Sequence, residues 1–197
     1  MKLMIASKNK HKLAEIKELL RDQKVEILSA LDFPEIPDVV EDKETILGNA
    51  IKKAEEIANF TGCLTMADDT GLFVQALQGA PGVYSARYAG EEANSANNRQ
   101  KLLQALQKVT ERSAYFETVI ALAQPDNLIG TCNGRVEGEI TQQEIGDSGF
   151  GYDCIFRAVE TGKTFGEMAS ADKNQISHRA RALHNFIPIL RSYLEKK

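Results

Sequence analysis

Apolar residues fall into two rhythms along this chain, short continuous runs and stripes at helical spacing. Residues 2–7 (KLMIAS) form a short run that predicts a strand, and Leu13, Ile16, Leu19 and Leu20 then recur with the period of a helix face. Residues 25–29 predict a second strand. Pro34 and Pro37 make residues 31–37 a turn-rich connector, because proline breaks both a helix and a central strand. A helix is predicted over residues 45–60, with Leu47, Ala50, Ile51, Ala54, Ile57 and Ala58 on one face and Thr61-Gly62 as its stop. Cys63 to Ala67 reads as a strand buried on both faces. A further helix over residues 93–108 turns Leu102, Leu103 and Leu106 inward, after a loop that includes Glu91 and Glu92. Residues 114–124 and 128–136 are rich in β-formers on either side of Pro125-Asp126-Asn127, which predicts a hairpin and hence a mixed sheet. Residues 136–140 extend that hairpin or begin another edge. Cys154 to Phe156 reads as a buried strand, and Leu183, Phe186, Ile187, Leu190 and Leu194 line a last helix that Pro188 should kink.

Chemistry concentrates at four points of this pattern. Asp68 and Asp69 follow the apolar run 63–67 directly and precede Thr70-Gly71. Ligands of an α/β sheet gather at the carboxyl ends of strands, and two adjacent carboxylates repel unless a cation relieves them. Mg²⁺ shared with a phosphate needs only one or two protein carboxylates; an Asx-type turn is the other reading. The turn Ser7-Lys8-Asn9-Lys10-His11-Lys12 joins a strand to a helix N-terminus and carries three lysines, which suits an anion or else a solvated face. Glu41, Asp42 and Glu44 precede the next helix, where carboxylates are favoured in any case. In Gly149-Phe150-Gly151-Tyr152-Asp153 the glycines free an aromatic ring for stacking on a base, or simply make a turn ahead of a buried strand. The loop from Gly79 to Arg87 is glycine- and proline-rich and ends on a cation.

Composition narrows the class. The 197 residues suffice for one domain, folded as one body or as two lobes without a separable linker, and 43% hydrophobic with 26% charged residues is ordinary for a globular protein. A net charge of −4 argues against a general nucleic-acid partner. No apolar run approaches the roughly 18 residues of a membrane span, and the N-terminus lacks a signal-peptide core. Three widely spaced cysteines, Cys63, Cys132 and Cys154, with no CxxC fit free thiols in a reducing compartment, so a cytoplasmic location is expected.

The same residues carry a resemblance. ADDTGL followed by ALQGAPGVYSAR resembles the inosine triphosphate pyrophosphatase family, with Gln78 in place of a glycine. SKNKHKLAEI matches its opening motif at Ser7, Asn9, Lys12 and Glu15, with Lys8 for the usual glycine. VEDKETILGNAIKKA matches at Glu41, Thr45, Asn49, Ala50, Lys53 and Ala54 and departs at Lys43, Ile46 and Gly48. GFGYDCIF differs only at Cys154, which stands for proline, and KNQISHR agrees at every specified residue.

The resemblance implies an α/β fold, a long twisted mixed sheet flanked by helices in two lobes around a central cleft, and a homodimer. It implies hydrolysis of purine nucleoside triphosphates with deaminated bases (ITP, dITP, XTP) to the monophosphate and pyrophosphate, with Mg²⁺. By it, Asn9 and Lys12 contact the nucleotide phosphates, and Ser7, Lys8, Lys10, His11, Lys53 and Thr70 belong to the same substrate site. Phe150, Gly151, Tyr152, Asp153, Lys173, His178 and Arg179 complete the substrate site, with His178 and Arg179 near the base. Glu41 and Asp69, with Asp68 as a further candidate, would hold the metal, and Asp69 is also the catalytic residue. Two alternatives remain. A Maf-type pyrophosphatase is disfavoured by Asn9, Lys12 and Ser177-His178-Arg179. A non-catalytic nucleotide-binding module is disfavoured by the second acid of the Asp68-Asp69 pair.

Overall fold

The computed structural model describes residues 1–90 and 94–196. The expected loop acids Glu91 and Glu92, and Ala93 at the start of the predicted helix, lie outside the described residues. Among those residues the strands are β1 (Lys2–Ile5), β2 (Glu26–Ser29), β3 (Leu64–Val74), β4 (Pro81–Gly82), β5 (Ser113–Gln124), β6 (Asn127–Ile140) and β7 (Phe156–Ala158). The helices are α1 (Lys10–Leu19), α2 (Ile46–Thr61), α3 (Ser95–Ala105), α4 (Ser170–Ile176) and α5 (His178–Leu194). Hydrogen-bonded neighbours run in the order β2-β1-β3-β5-β6-β7, with β4 added to β3. Pairing is parallel for β1 with β2 and with β3, and antiparallel for β3 with β4 and for β6 with β7. The fold is therefore α/β with a mixed sheet, as the hairpin signal predicts.

The chain forms two compact units, one of residues 1–69, 118–134 and 179–197, the other of 70–117 and 135–178. In the first, Leu3 and Ile5 of β1, Met66 of β3, Ile120 and Leu122 of β5, Leu13 and Ile16 of α1, and Leu183, Phe186 and Leu190 of α5 make one buried cluster. The apolar stripes of both helices thus cover the strands, as their period requires. In the second, Leu72, Leu102, Phe116, Val136, Ile140, Phe156 and Phe165 pack together.

Local signals set the helix ends. Asn9 caps α1 by accepting from the His11 and Lys12 N–H groups, and Thr45 caps α2 by accepting from Gly48. Gly62 closes α2 in the left-handed region, φ 69°.

Three expectations change. Leu47, placed on the apolar face of the predicted helix, is 44% exposed. The strand expected to stop before the acids runs on to Val74, so Asp68 and Asp69 lie within β3. Its extension is held by pairing of Leu72 with Gly82 and Phe73 with Pro81, and by the Ser85 hydroxyl, which accepts from the Leu72 N–H at 2.8 Å. The strand expected at Cys154 begins only at Phe156, after a 3-10 turn over Asp153–Ile155.

On β6 the buried positions Val136, Gly138 and Ile140 alternate strictly with exposed ones. A Cβ at Gly138 would lie 2.4 Å from the Phe156 ring and 2.5 Å from the Arg157 carbonyl oxygen. Gly138→Ala is expected to cost about 1–3 kcal/mol through overpacking, read as a lower midpoint in urea denaturation. A midpoint equal to wild type would contradict that packing.

Candidate functional site

In the first unit, α1, α2, β3 and the start of α5 bring ionised side chains together. Asp68, 2% exposed, accepts from Lys12 Nζ at 3.1 Å and from Arg179 Nη2 and Nε at 3.3 and 3.4 Å, all at Oδ2. Arg179 Nη1 donates to Glu15. Lys53 Nζ, on α2, donates to Glu41 Oε1 at 2.6 Å and to the Asp68 carbonyl oxygen at 2.8 Å, and lies 3.7 Å from Asp69 Oδ1. Burial alone would raise the Asp68 pKa, but Lys12, Arg179 and Lys53 outweigh it and hold the carboxyl well below the usual carboxylate range. Burial alone would lower the Lys53 pKa, and Asp69, Glu41 and Asp68 reverse that and raise it. Asp68 is thus held ionised inside the fold.

The lysine-bearing turn is ordered by its own side chains. The Ser7 hydroxyl accepts from the Asn9 N–H, and Asn9 Oδ1 accepts from the first amides of α1. Lys8 Nζ donates to the Ile36 carbonyl at 3.0 Å and pairs with Asp38 at 2.8 Å. Lys10 and His11 are exposed.

In the second unit, Asp153 Oδ2 accepts from the Phe150 N–H at 2.8 Å and from Lys173 Nζ at 2.7 Å. A Cβ at Gly149 would fall 2.1 Å from that carboxylate, and Gly149 has φ +76°, so this position requires glycine. Lys173 Nζ stands 4.8 Å from the Phe150 ring centroid. Tyr152 is buried and its hydroxyl donates to the Ser85 carbonyl. His178 stacks on Phe116, centroids 4.5 Å apart. Thr70 and Gly151 also belong to this unit and are partly exposed.

His178 and Arg179 were expected together near the base. The His178 ring joins Phe116 in the second unit, whereas the Arg179 guanidinium joins Asp68 and Glu15 in the first. In this structure Arg179 Nε and Nη2 donate to the buried Asp68 and Nη1 to the partly buried Glu15. Lys53 likewise faces carboxylates, and Asp68 Oδ2 faces cations.

A family model described as the Ham1 family matches residues 3–189. The chain belongs to the Ham1 family. It is 46% identical over 200 residues to a dITP/XTP pyrophosphatase of Desulforamulus reducens, covering all of both chains. Identity is 47% over 183 residues to the dITP/XTP pyrophosphatase of Shouchella clausii, with 92% of each chain covered. Among solved structures, a HAM1 protein from Coxiella burnetii superposes with a TM-score of 0.89 at 41% identity, covering 98% of this chain and 99% of that one.

In this Ham1 chain acids and cations share one cluster. Glu15, Glu41, Asp68 and Asp69 lie among Lys12, Lys53 and Arg179. Glu41 and Asp69 converge on one ammonium, so a hard cation with oxygen ligands suits them. Asp68 Oδ1 has no hydrogen-bond partner among the described residues. No group of three or more His, Cys, Asp or Glu side chains among the described residues is placed to hold a metal ion.

Glu15 matches the opening motif, but the sequence reading gave it no role. Its signal is the spacing from Lys12, three residues along α1, which puts both on one helix face. The three cysteines are free thiols, and none of the helices among the described residues is long and apolar enough to cross a membrane.

Proposed function

We propose that this chain hydrolyses purine nucleoside triphosphates with deaminated bases (dITP, XTP and ITP) to the nucleoside monophosphate and pyrophosphate. The observation that carries the reading is the buried Asp68-Asp69 pair with its lysine and arginine partners. The names of the relatives support it. Water attacks the α-phosphorus, the bond to the bridging oxygen breaks, and pyrophosphate leaves with the electron pair. Asp69 accepts the proton of the attacking water. Lys12 and the exposed lysines of the α1 turn attract the triphosphate, and Arg179 keeps Asp68 ionised and in place. Mg²⁺ held by Glu41 and Asp69 would neutralise charge on the phosphate oxygens.

Base recognition falls to Phe150, Lys173 and His178, with Asp153 aligning Lys173. A face of Phe150 accepts any purine, so discrimination comes from donors that meet a 6-oxo group and leave a 6-amino group unpaired. The decisive assay is pyrophosphate release from ITP, dITP, XTP, dUTP, ATP and GTP with and without Mg²⁺. Release from ITP and XTP well above ATP and GTP, and only with metal, is expected; equal rates across the panel would end the specificity reading. Phe150→Ala should raise KM for ITP and ATP by similar factors, about 5- to 100-fold for a lost stacking contact, leaving their ratio unchanged.

The reading further takes the chain as one domain, since it passes between the two units at Asp69–Thr70, Glu117–Thr118, Gly134–Arg135 and His178–Arg179. A homodimer, checked by sedimentation, and a cytoplasmic location that matches free thiols complete it. Nucleic acid is not a partner in this reading.

A further inference from the structure

We propose that Arg99 is a positioning residue that fastens the Gly149–Asp153 loop in its substrate-receiving form. This rests on the reading of Phe150 as a stacking surface given above.

The loop has weak means of holding itself. Gly149 and Gly151 both lie in the left-handed region, φ 76° and 64°, and glycines lose more backbone entropy on ordering than other residues. Its polar backbone groups can be followed one by one. The Phe150 N–H goes to Asp153 Oδ2 and the Phe150 carbonyl accepts from the Asp153 N–H. The Tyr152 carbonyl accepts from Ile155 and Phe156. The Gly151 carbonyl, between them, accepts from Arg99 Nη1 at 2.9 Å, 52 residues away in sequence.

Arg99 is built to make that bond. It projects from α3, and its other nitrogens grip Glu144 as a fork, Nε to Oε1 at 2.7 Å and Nη2 to Oε2 at 3.3 Å. A guanidinium held by two bonds in one plane has its third nitrogen aimed. An exposed ion pair alone would contribute little. Here the side chain is 18% exposed, and it spends a charged donor on a loop carbonyl. The neighbouring Asn98, buried, accepts from the Ala89 N–H at 2.6 Å and donates to the Ala86 carbonyl at 2.9 Å. Tyr152 closes the circuit by donating to the Ser85 carbonyl at 2.8 Å. Adjacent residues of α3 therefore tie down two loops, the one after β4 that contains Arg87 and the one that contains Phe150.

The test compares wild type, Arg99→Ala and Phe150→Ala as full chains. Hydrogen exchange followed by mass spectrometry reads loop order without reference to substrate. Steady-state hydrolysis of ITP with Mg²⁺ reads its consequence. For Arg99→Ala, exchange should rise in peptides covering residues 145–153 and stay at wild-type levels in β1 and α5. KM for ITP should rise about 10-fold, the loss of one charge-assisted hydrogen bond, with kcat within about twofold of wild type. Unchanged exchange in the loop overturns the proposal. So does faster exchange throughout the chain with a fall in kcat, which marks general loosening. An unmoved KM in Arg99→Ala while Phe150→Ala raises it also overturns the proposal and leaves the base-site reading standing. If Phe150→Ala leaves KM unmoved too, the base-site reading has failed, and the proposal fails with it.

Discussion

Asp69→Asn is expected to reduce pyrophosphate release by about 10²- to 10⁴-fold, the range for loss of a positioned general base. The side chain keeps its volume and loses the charge that takes a proton and attracts a cation. Folding should survive, because Lys53 retains Glu41 Oε1 at 2.6 Å and the Asp68 carbonyl at 2.8 Å, both closer than Asp69 Oδ1 at 3.7 Å. The melting temperature should therefore stay within a few degrees of wild type. Activity above about a tenth of wild type, in a variant of normal stability, would remove Asp69 from the chemistry. A higher Mg²⁺ requirement in whatever activity remains would add a ligand role to the proton-accepting one.

Asp68→Ala should show the reverse pattern, a large loss of stability. Asp68 is the partner of both Lys12 and the buried Arg179, and removing one member of a buried charge cluster leaves the others uncompensated. The expected cost is about 3–5 kcal/mol, or roughly 10 °C in melting temperature for a chain of this size. The pH dependence has a definite sign. Cations hold the folded-state pKa of Asp68 below its unfolded value, so its contribution is complete above the unfolded pKa, near 4, and is lost as pH falls toward the folded value. The stability gap between wild type and Asp68→Ala should be constant from about pH 5 to 8 and narrow progressively below about pH 4. Urea midpoints measured at pH 7 and pH 3 decide this. A gap of the same size at both would mean that charge on Asp68 contributes nothing to it.

Much of this architecture was legible from the chain, because the signals are local. The apolar stripe of α2 and its cap at Thr45 lie within one stretch, and so do the hairpin's two runs and their turn. The acid pair, the lysine-bearing turn, GFGYD and KNQISHR stand out as residue types in order, and they identify the family. What they could not convey was partnership. Arg179 meets Asp68 across 111 residues and Glu15 across 164. Those pairings let β3 run straight through two carboxylates, which a reading by local charge would place after its end. His178 and Arg179 are adjacent in sequence but face different partners, because successive side chains on a helix point about 100° apart. Arg99 stands in an undistinguished polar stretch, and only α3's placement beside Glu144 and Gly151 gives it a task. Composition and period determine which segments become strands and helices. Which buried charge neutralises which is decided when distant segments pack, since an ion withdrawn from water must find its counter-ion wherever the fold brings one.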